Sequence, residues 1–165
     1  MDAAGFEDFV SREQPALLRL AVLLAGDRGH AEDLVQTALL KTYRHWGRIT
    51  RGGEPTAYVR RVLVTTHTSW RRRLSTTEQV VETLPDCADP TVVPDDDEQL
   101  RAALRSLPPR MRTAVVLRFY ADLSEQQAAE AMGCSPSTVN TQTTRGLARL
   151  RTLLAAPVFA AEEGA

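Results

Sequence analysis

Apolar residues recur at steps of three and four along most of the chain, which is the period of an amphipathic α-helix. Pro15 is expected to kink or divide the first such stretch, because proline lacks an amide hydrogen and clashes with the preceding turn. Gly26-Asp27 is expected to end it. The apolar face of this stretch comprises Phe6, Phe9, Val10, Leu17, Leu20, Ala21 and Leu24.

The same period predicts two further helices in this N-terminal block, at about residues 30–46 and 55–74, joined by a loop over residues 47–55. On the second helix the apolar face is Val35, Leu39, Tyr43 and Trp46, and another face carries Asp33, Thr37, Lys41 and Arg44. On the third, the inward positions are Val59, Val62, Leu63, Thr66 and Trp70, and the other side shows Arg61, Thr65, Thr68 and Arg72.

The C-terminal block predicts four short helices, over about residues 98–106, 110–121, 124–132 and 135–154. Pro108-Pro109 should stop the first of them. Ser124 and Gln127 fit a capping box at the start of the third. Ser135 should cap the fourth, with Pro136 at the first helical position, which proline favours.

Between the blocks lies a stretch of 23 residues, 75–97, that has three prolines and no helical period. It contains seven acidic residues and no lysine or arginine, whereas the flanking blocks each carry a net charge of +4. The length is too great for a tight connection inside one domain. We therefore predict an all-α protein with two small helical domains, 1–74 and 98–154, an acidic flexible linker and a frayed tail over 155–165.

The overall composition mainly excludes other classes of protein. The chain has 165 residues and a net charge of −1, and it contains no apolar run of membrane-spanning length. Its N-terminus lacks the basic and apolar regions of a signal peptide. Cys87 and Cys134 lack metal-binding spacing. These features predict a cytoplasmic protein with free thiols, without a cofactor or a metal.

The most informative motif is the pair of helices at about 124–132 and 135–152. Ala129, Gly133 and Val139 supply a small residue, a glycine and a β-branched residue at offsets of zero, four and ten. This spacing is typical of a helix-turn-helix, in which glycine reverses the chain and the second helix enters the major groove. A plain helical hairpin is the alternative.

Polar side chains on the second helix of this motif suit base reading. Asn140, Thr141, Thr144 and Arg145 share one stripe, and asparagine and arginine can pair in bidentate fashion with adenine and guanine. Arg149 and Arg151 suit phosphate contacts, with a merely solvated face as the alternative. The third helix of the N-terminal block differs, since it interleaves five arginines with Tyr58, His67 and Trp70, a composition that favours single-stranded DNA.

With these motifs in place, the chain resembles the extracytoplasmic-function sigma factors of bacterial RNA polymerase over residues 6–154. AEDLVQTALLKTYRHW (31–46) is similar to the family's core-binding helix, and PTAYVRRVLVTTHTSWRRR (55–73) to its −10 recognition and melting helix. Residues 107–151 resemble region four, which reads the −35 element. HTSWRRR and TRGLARLR resemble the actinobacterial SigE-like subgroup in particular.

The resemblance implies a set of partners and contacts. The partners are the polymerase core through its β′ clamp and β flap, promoter DNA that is duplex at −35 and single-stranded at −10, and an anti-sigma factor, without membrane insertion. Core binding would use Asp33, Leu34, Gln36 and Lys41. The −10 element would contact Arg51, Gly52, Gly53, Tyr58, Arg61, Thr65, Thr68 and Arg72. The −35 element would contact Ser137, Thr138, Asn140, Thr141, Thr144, Arg145 and Arg149.

The resemblance also implies that the chain has no catalytic residues, because the active site belongs to the polymerase. Asn140, Thr141 and Thr65 depart from residues common in the family, so the promoter sequences are not carried over. The acidic linker would follow a polymerase channel as a mimic of nucleic acid, or serve as a solvated tether.

The sequence leaves two alternative functions to consider. One is a stand-alone helix-turn-helix regulator, which would need a sensing domain. The other is a helical hydrolase or metal enzyme that uses His30, Glu32 and Asp33, although these residues lack the spacing of metal ligands on a helix.

Overall fold

The computed structural model describes residues 3–76 and 98–155, and every regular element in these ranges is a helix. Most of the predicted linker and nearly all of the predicted tail lie outside the described residues. The helices are α1 (Ala3–Ala25), α2 (Arg28–Arg44), α3 (Trp46–Gly52), α4 (Pro55–Thr76), α5 (Glu98–Ser106), α6 (Pro109–Val115), a π-helix (Val116–Tyr120), α7 (Glu125–Met132) and α8 (Pro136–Ala155). The prediction of an all-α fold is confirmed.

The first helix continues through Pro15, which does not divide it. Pro15 is exposed, and the buried positions Phe9 and Leu17 stay on one face of the continuous helix. Gly26 ends the helix with a φ of 77°, a left-handed conformation that favours glycine. Asp27 then caps α2, because its carboxylate accepts a hydrogen bond of 3.0 Å from the His30 amide.

The prediction of a loop over residues 47–55 is wrong for most of that range. Trp46–Gly52 form α3, and only Gly53 and Glu54 separate this helix from α4. Two apolar residues at helical spacing explain the difference, because Trp46 and Ile49 are both buried. Their burial stabilises a short helix despite its glycines.

Four aromatic rings join α1 to the end of α2 and the start of α3. The ring centroid of Phe6 lies 4.9 Å from that of Tyr43 and 5.2 Å from that of Trp46. Phe9 also packs against Trp46, with 5.0 Å between centroids and the rings tilted at 45°. Each such pair stabilises the folded state by roughly 0.5–1.5 kcal/mol beyond the contribution of the area that it buries. This cluster packs the C-terminal end of α2 against α1.

In the C-terminal half, α8 crosses α6 at a position where only glycine fits. A β-carbon on Gly146 would lie 2.6 Å from Val115 Cγ2, which is too close for two carbon atoms. The predicted helix over residues 110–121 is in fact two segments, since its last turn is the π-helix. A π-helix has wider turns, so it shifts the apolar face. Phe119 and Tyr120, two aromatic residues of the π-helix, are 60% and 43% exposed.

The two halves pack against each other. Helix α4 contacts α7, and α1 contacts both α5 and the π-helix. The guanidinium of Arg72 lies against Gly133, and that of Arg112 lies against Gly26, where an added β-carbon would be 3.3 Å from Nη1. His67 and Arg112 are 4% and 8% exposed. Burial first, and then the charges of Arg71 and Arg112, lower the pKa of His67 to about 4.

This histidine predicts a pH dependence of stability. The imidazole has a pKa of 6.5 in the unfolded chain and about 4 in the folded protein. Between these values the unfolded state binds more protons, so stability is fully present above pH 6.5 and is lost as the pH falls toward 4. From pH 7 to pH 5 the loss attributable to His67 is about 2 kcal/mol.

Urea denaturation of the wild type and of His67→Gln at both pH values measures this effect. Between pH 7 and pH 5, the free energy of unfolding of the wild type should fall by about 2 kcal/mol more than that of the variant. His45→Gln, at an exposed position, is the matched control and should follow the wild type. Equal losses in the wild type and His67→Gln would mean that the native imidazole accepts a proton as readily as the unfolded one.

Candidate nucleic-acid interface

The turn between α7 and α8 has the geometry predicted for a helix-turn-helix. The capping box is present, with Ser124 Oγ accepting from the Gln127 amide at 3.1 Å and Gln127 Oε1 accepting from the Ser124 amide at 2.9 Å. Gly133 has φ 67° and ψ 37°, the left-handed conformation that reverses the chain. Ala129 and Val139 are buried on the two sides of this turn. The prediction from the spacing is confirmed.

The start of α8 is fixed by Ser135. Its hydroxyl accepts a hydrogen bond of 3.1 Å from the Thr138 amide and lies 2.9 Å from the Thr138 hydroxyl. Thr138 is half-buried and engaged in this cap, whereas Ser137 is exposed. Of these two candidate −35 contacts, Ser137 is therefore the more accessible.

Helix α8 separates a packing face from a polar face. Val139, Thr143, Gly146 and Leu150 are buried. The other five candidate −35 residues, Asn140, Thr141, Thr144, Arg145 and Arg149, are all exposed. The stripe presents an amide, two hydroxyls and two guanidinium groups, and these are the groups that read base edges and hold phosphates in the major groove.

Helix α4 presents the candidate −10 face. Arg61, Thr65 and Arg72 are exposed, and Tyr58 and Thr68 are half-buried. The Thr65 hydroxyl donates to the carbonyl oxygen of Arg61 at 3.0 Å, and that of Thr68 donates to the carbonyl oxygen of Val64 at 2.9 Å. Because these protons are used within the helix, each hydroxyl can offer a ligand only an acceptor oxygen.

The segment before α4 differs from the glycine loop expected there. Arg51 and Gly52 belong to α3, and Arg51 Nε donates to the carbonyl oxygen of Gly47 at 2.9 Å. Gly53 is extended, with a φ of −156°, which any residue adopts. A β-carbon would meet nothing within 4 Å at Gly52 and would make an ordinary contact at Gly53. The backbone therefore does not require either glycine.

The candidate core-binding residues on α2 do not share one environment. Asp33 and Gln36 are exposed, while Leu34 is fully buried and lies in the core. Lys41 is also exposed, but its ammonium donates to the Thr66 hydroxyl at 3.2 Å and so links α2 to α4. Leu40, which sequence analysis did not single out, is 55% exposed and lies one turn after Gln36. The accessible stripe is thus Asp33, Gln36 and Leu40.

His30 and Glu32 have local partners at the start of α2. His30 Nδ1 lies 2.8 Å from Asp27 Oδ2, and Arg28 Nε donates to Glu32 at 3.0 Å. The hydrogen bond from the His30 amide is the main cause that lowers the pKa of Asp27. Across 3–76 and 98–155, no three histidine, cysteine or acidic side chains are grouped to hold a metal ion. None of the helices in these ranges is both long and apolar enough to cross a bilayer.

Comparisons with known proteins agree with this geometry. Residues 9–77 match the model of sigma-70 region 2, and residues 97–150 match that of sigma-70 region 4. The RNA polymerase sigma-E factor of Streptomyces avermitilis is 41% identical over 148 residues, which cover 88% of this chain and 83% of that protein. The sigma-E factor of Streptomyces coelicolor is 40% identical over 153 residues, covering 92% and 86%.

A solved structure shows the same fold. The sigma factor RpoE of Bartonella quintana, crystallised in complex with the anti-sigma factor NepR, aligns with a TM-score of 0.67 at 24% identity. The alignment covers 92% of this chain and 98% of that one. All-helical regions 2 and 4 and a helix-turn-helix define a promoter-recognition protein. The chain belongs to the sigma-70 family of RNA polymerase sigma factors, within its extracytoplasmic-function group.

Proposed function

We propose that the chain binds core RNA polymerase, directs it to promoters by contacts at −35 and −10, and promotes melting of the −10 segment. The observation that supports this most directly is the presence of three separate polar faces on one chain, on α2, α4 and α8. The matches to both sigma regions disfavour a stand-alone regulator. In this proposal the chain works in the cytoplasm, where the polymerase is, and contributes no catalytic residues or cofactor of its own.

Run-off transcription with purified core enzyme on genomic fragments tests the proposal. The chain should produce transcripts with defined start sites that core enzyme alone does not produce. An anti-sigma factor is a further proposed partner, by analogy with the complex in which RpoE was crystallised. We also place the β flap against region 4, in accordance with the family resemblance. Absence of any defined start site across the fragments would contradict the proposal.

The exposed stripe on α2 is the proposed contact with the β′ clamp. Reversing the charge of Asp33 should abolish core binding, because burying an unmatched charge at an interface is strongly unfavourable. Asp33→Arg should lower affinity for core enzyme at least about 100-fold, the effect of roughly 3 kcal/mol. Fluorescence anisotropy of labelled protein titrated with core enzyme measures the loss.

Glu7→Arg provides the matched control, since Glu7 is exposed on α1 and undergoes the same change of charge. It should bind core enzyme like the wild type, and both variants should keep their helical circular dichroism. If the two variants bound equally well, the contact with the polymerase would lie elsewhere on the molecule.

Arg145 and Arg149 are expected to act differently at the −35 element. Each bidentate base contact discriminates by about 1–3 kcal/mol, so Arg145→Ala should weaken binding and relax the preference at one base pair. Arg149→Ala should weaken all sequences alike and reduce the salt slope by about one. Binding of holoenzyme to a panel of single-base −35 variants distinguishes these patterns. A uniform loss for Arg145→Ala would reassign that residue to a phosphate.

Arg61 is the proposed contact with the melted −10 strand. Unpairing costs a few kcal/mol, so losing a contact with the opened strand should matter most where the enzyme must open the duplex itself. Arg61→Ala should therefore reduce transcription far more from a duplex promoter than from one with a preformed −10 bubble. Arg48→Ala, at an exposed position on α3, is the matched control.

The double variant Gly52→Ala, Gly53→Ala tests the segment before α4. The structure accommodates both β-carbons, so a defect on duplex templates would indicate a functional contact of this backbone and not a folding defect. Equal loss on duplex and bubble templates, in either variant, would assign the residues to the fold or to polymerase binding.

A further inference from the structure

Two threonine hydroxyls on the candidate −10 face of α4 use their hydrogens within the helix. Thr65 Oγ1 donates toward two carbonyl oxygens, that of Arg61 at 3.0 Å and that of Val62 at 3.1 Å. Thr68 Oγ1 donates to the carbonyl oxygen of Val64 at 2.9 Å. A hydroxyl has a single hydrogen, so each group has only its lone pairs left for a ligand. These two residues therefore present two hydrogen-bond acceptors and no donor.

The spacing of the two acceptors suits a single amino group. Thr65 and Thr68 are three residues apart on one helix, and Cβ atoms at this spacing lie about 5–6 Å apart on the same face. Thr65 is exposed and Thr68 is half-buried. An amino group that donates both of its hydrogens over about 2.9 Å holds its two acceptors about 5 Å apart. One planar amino group can therefore donate to both oxygens.

Two arginines flank this pair of acceptors and limit the kind of amine that fits. Arg61 precedes Thr65 by four residues on the helix, and both are exposed. Arg72 follows Thr68 by four residues and is also exposed. Cations at these positions repel a charged ammonium group and attract the phosphates of a strand. The ligand that fits is a neutral amine carried by a polyanion, which describes a nucleobase in a nucleic-acid strand.

The exocyclic amino group of a base supplies the two hydrogens. Adenine, cytosine and guanine each carry one, whereas thymine has carbonyl oxygens in its place. In a duplex, Watson–Crick pairing occupies one hydrogen of each amino group. Both hydrogens are available only when the base is unpaired, so the two threonines suit a melted strand better than a duplex.

We propose that Thr65 and Thr68 select an unpaired base with an exocyclic amino group, and so discriminate against thymine, at one position of the melted −10 strand. The amino group donates one hydrogen to each hydroxyl oxygen. Neither threonine gives up its hydrogen bond within the helix, so the pair of acceptors is already formed before the strand binds. This inference rests on the proposed function, because it assigns the class of base that the −10 face reads.

Base substitutions in a single strand provide the first test. Holoenzyme assembled from this chain and core enzyme is titrated with single-stranded oligonucleotides that carry the −10 segment of a promoter mapped by run-off transcription. Each base of the segment is replaced in turn by thymine, and fluorescence anisotropy measures the affinity. We expect one position at which thymine lowers the affinity at least about fivefold, the typical effect of one neutral hydrogen bond.

At that position the amino group alone is then removed. Unsubstituted purine replaces adenine, pyrimidin-2-one replaces cytosine, or hypoxanthine replaces guanine. The affinity of the wild type should again fall at least about fivefold. In Thr65→Val or Thr68→Val the same change of base should have a smaller effect, and in the double variant almost none, because the acceptors of the amino group are gone.

Three further variants separate base reading from a structural role of the hydroxyl. Thr65→Ser keeps the hydroxyl and should keep the discrimination. Thr65→Asn adds amide donors and should accept thymine through its carbonyl oxygens. Thr152→Val removes a matching bond on α8, where the exposed Thr152 donates to the carbonyl oxygen of Ala148 at 3.2 Å, and should behave like the wild type. Circular dichroism checks that each variant keeps its helices.

Two results would overturn the proposal. Equal affinity for the natural base and its amine-free analogue at every position would mean that no amino group is read. An undiminished effect of the analogue in the double valine variant would mean that another part of the holoenzyme reads it. Absence of defined start sites in run-off transcription would remove the proposed function together with this inference. Defined start sites with an affinity that does not depend on the amino group would remove this inference alone.

Discussion

The left-handed turn at Gly133 is the constraint on which the DNA-reading half depends. With φ at 67°, this residue reverses the chain within a single step, so that Val139 packs back against α7 beside Ala129. The direction of α8 follows from that turn, and with it the division of the helix into a buried side and an exposed polar stripe. The same glycine leaves room for the Arg72 guanidinium. A side chain there would strain the turn and displace a contact between the halves at the same time.

Sequence periodicity predicted those parts of the molecule in which local pattern and packing agree. The capping box, the glycine turn and the buried Val139 follow from short-range rules, and all are present. The face of α4 with Arg61 and Thr65 is exposed as the three- and four-residue steps indicated. In these segments each helix needs only to bury one stripe, and the sequence shows which one.

The errors arose where tertiary packing overrode the local pattern. Trp46 and Ile49 stabilise a short helix in a segment whose glycines suggested a loop. The π-helix turns Phe119 and Tyr120 outward, although both belong to an apolar period. Family resemblance places Leu34 among the polymerase contacts, which stays a prediction; it does not indicate that Leu34 is fully buried in the free chain. The proximity of His67 to the charge of Arg112 depends on how two separate helical patterns meet, and neither pattern contains that information.

The tight crossing of α8 over α6 has a consequence for protein engineering. Gly146 fixes the distance between these helices through its own backbone and Val115, while the four outward positions from Asn140 to Arg145 make no contribution to that crossing. Libraries randomised at those four positions should therefore retain a folded scaffold in most clones. If these four positions read the −35 element as proposed, such libraries would supply sigma factors with altered promoter preferences, provided that Gly146 is held constant.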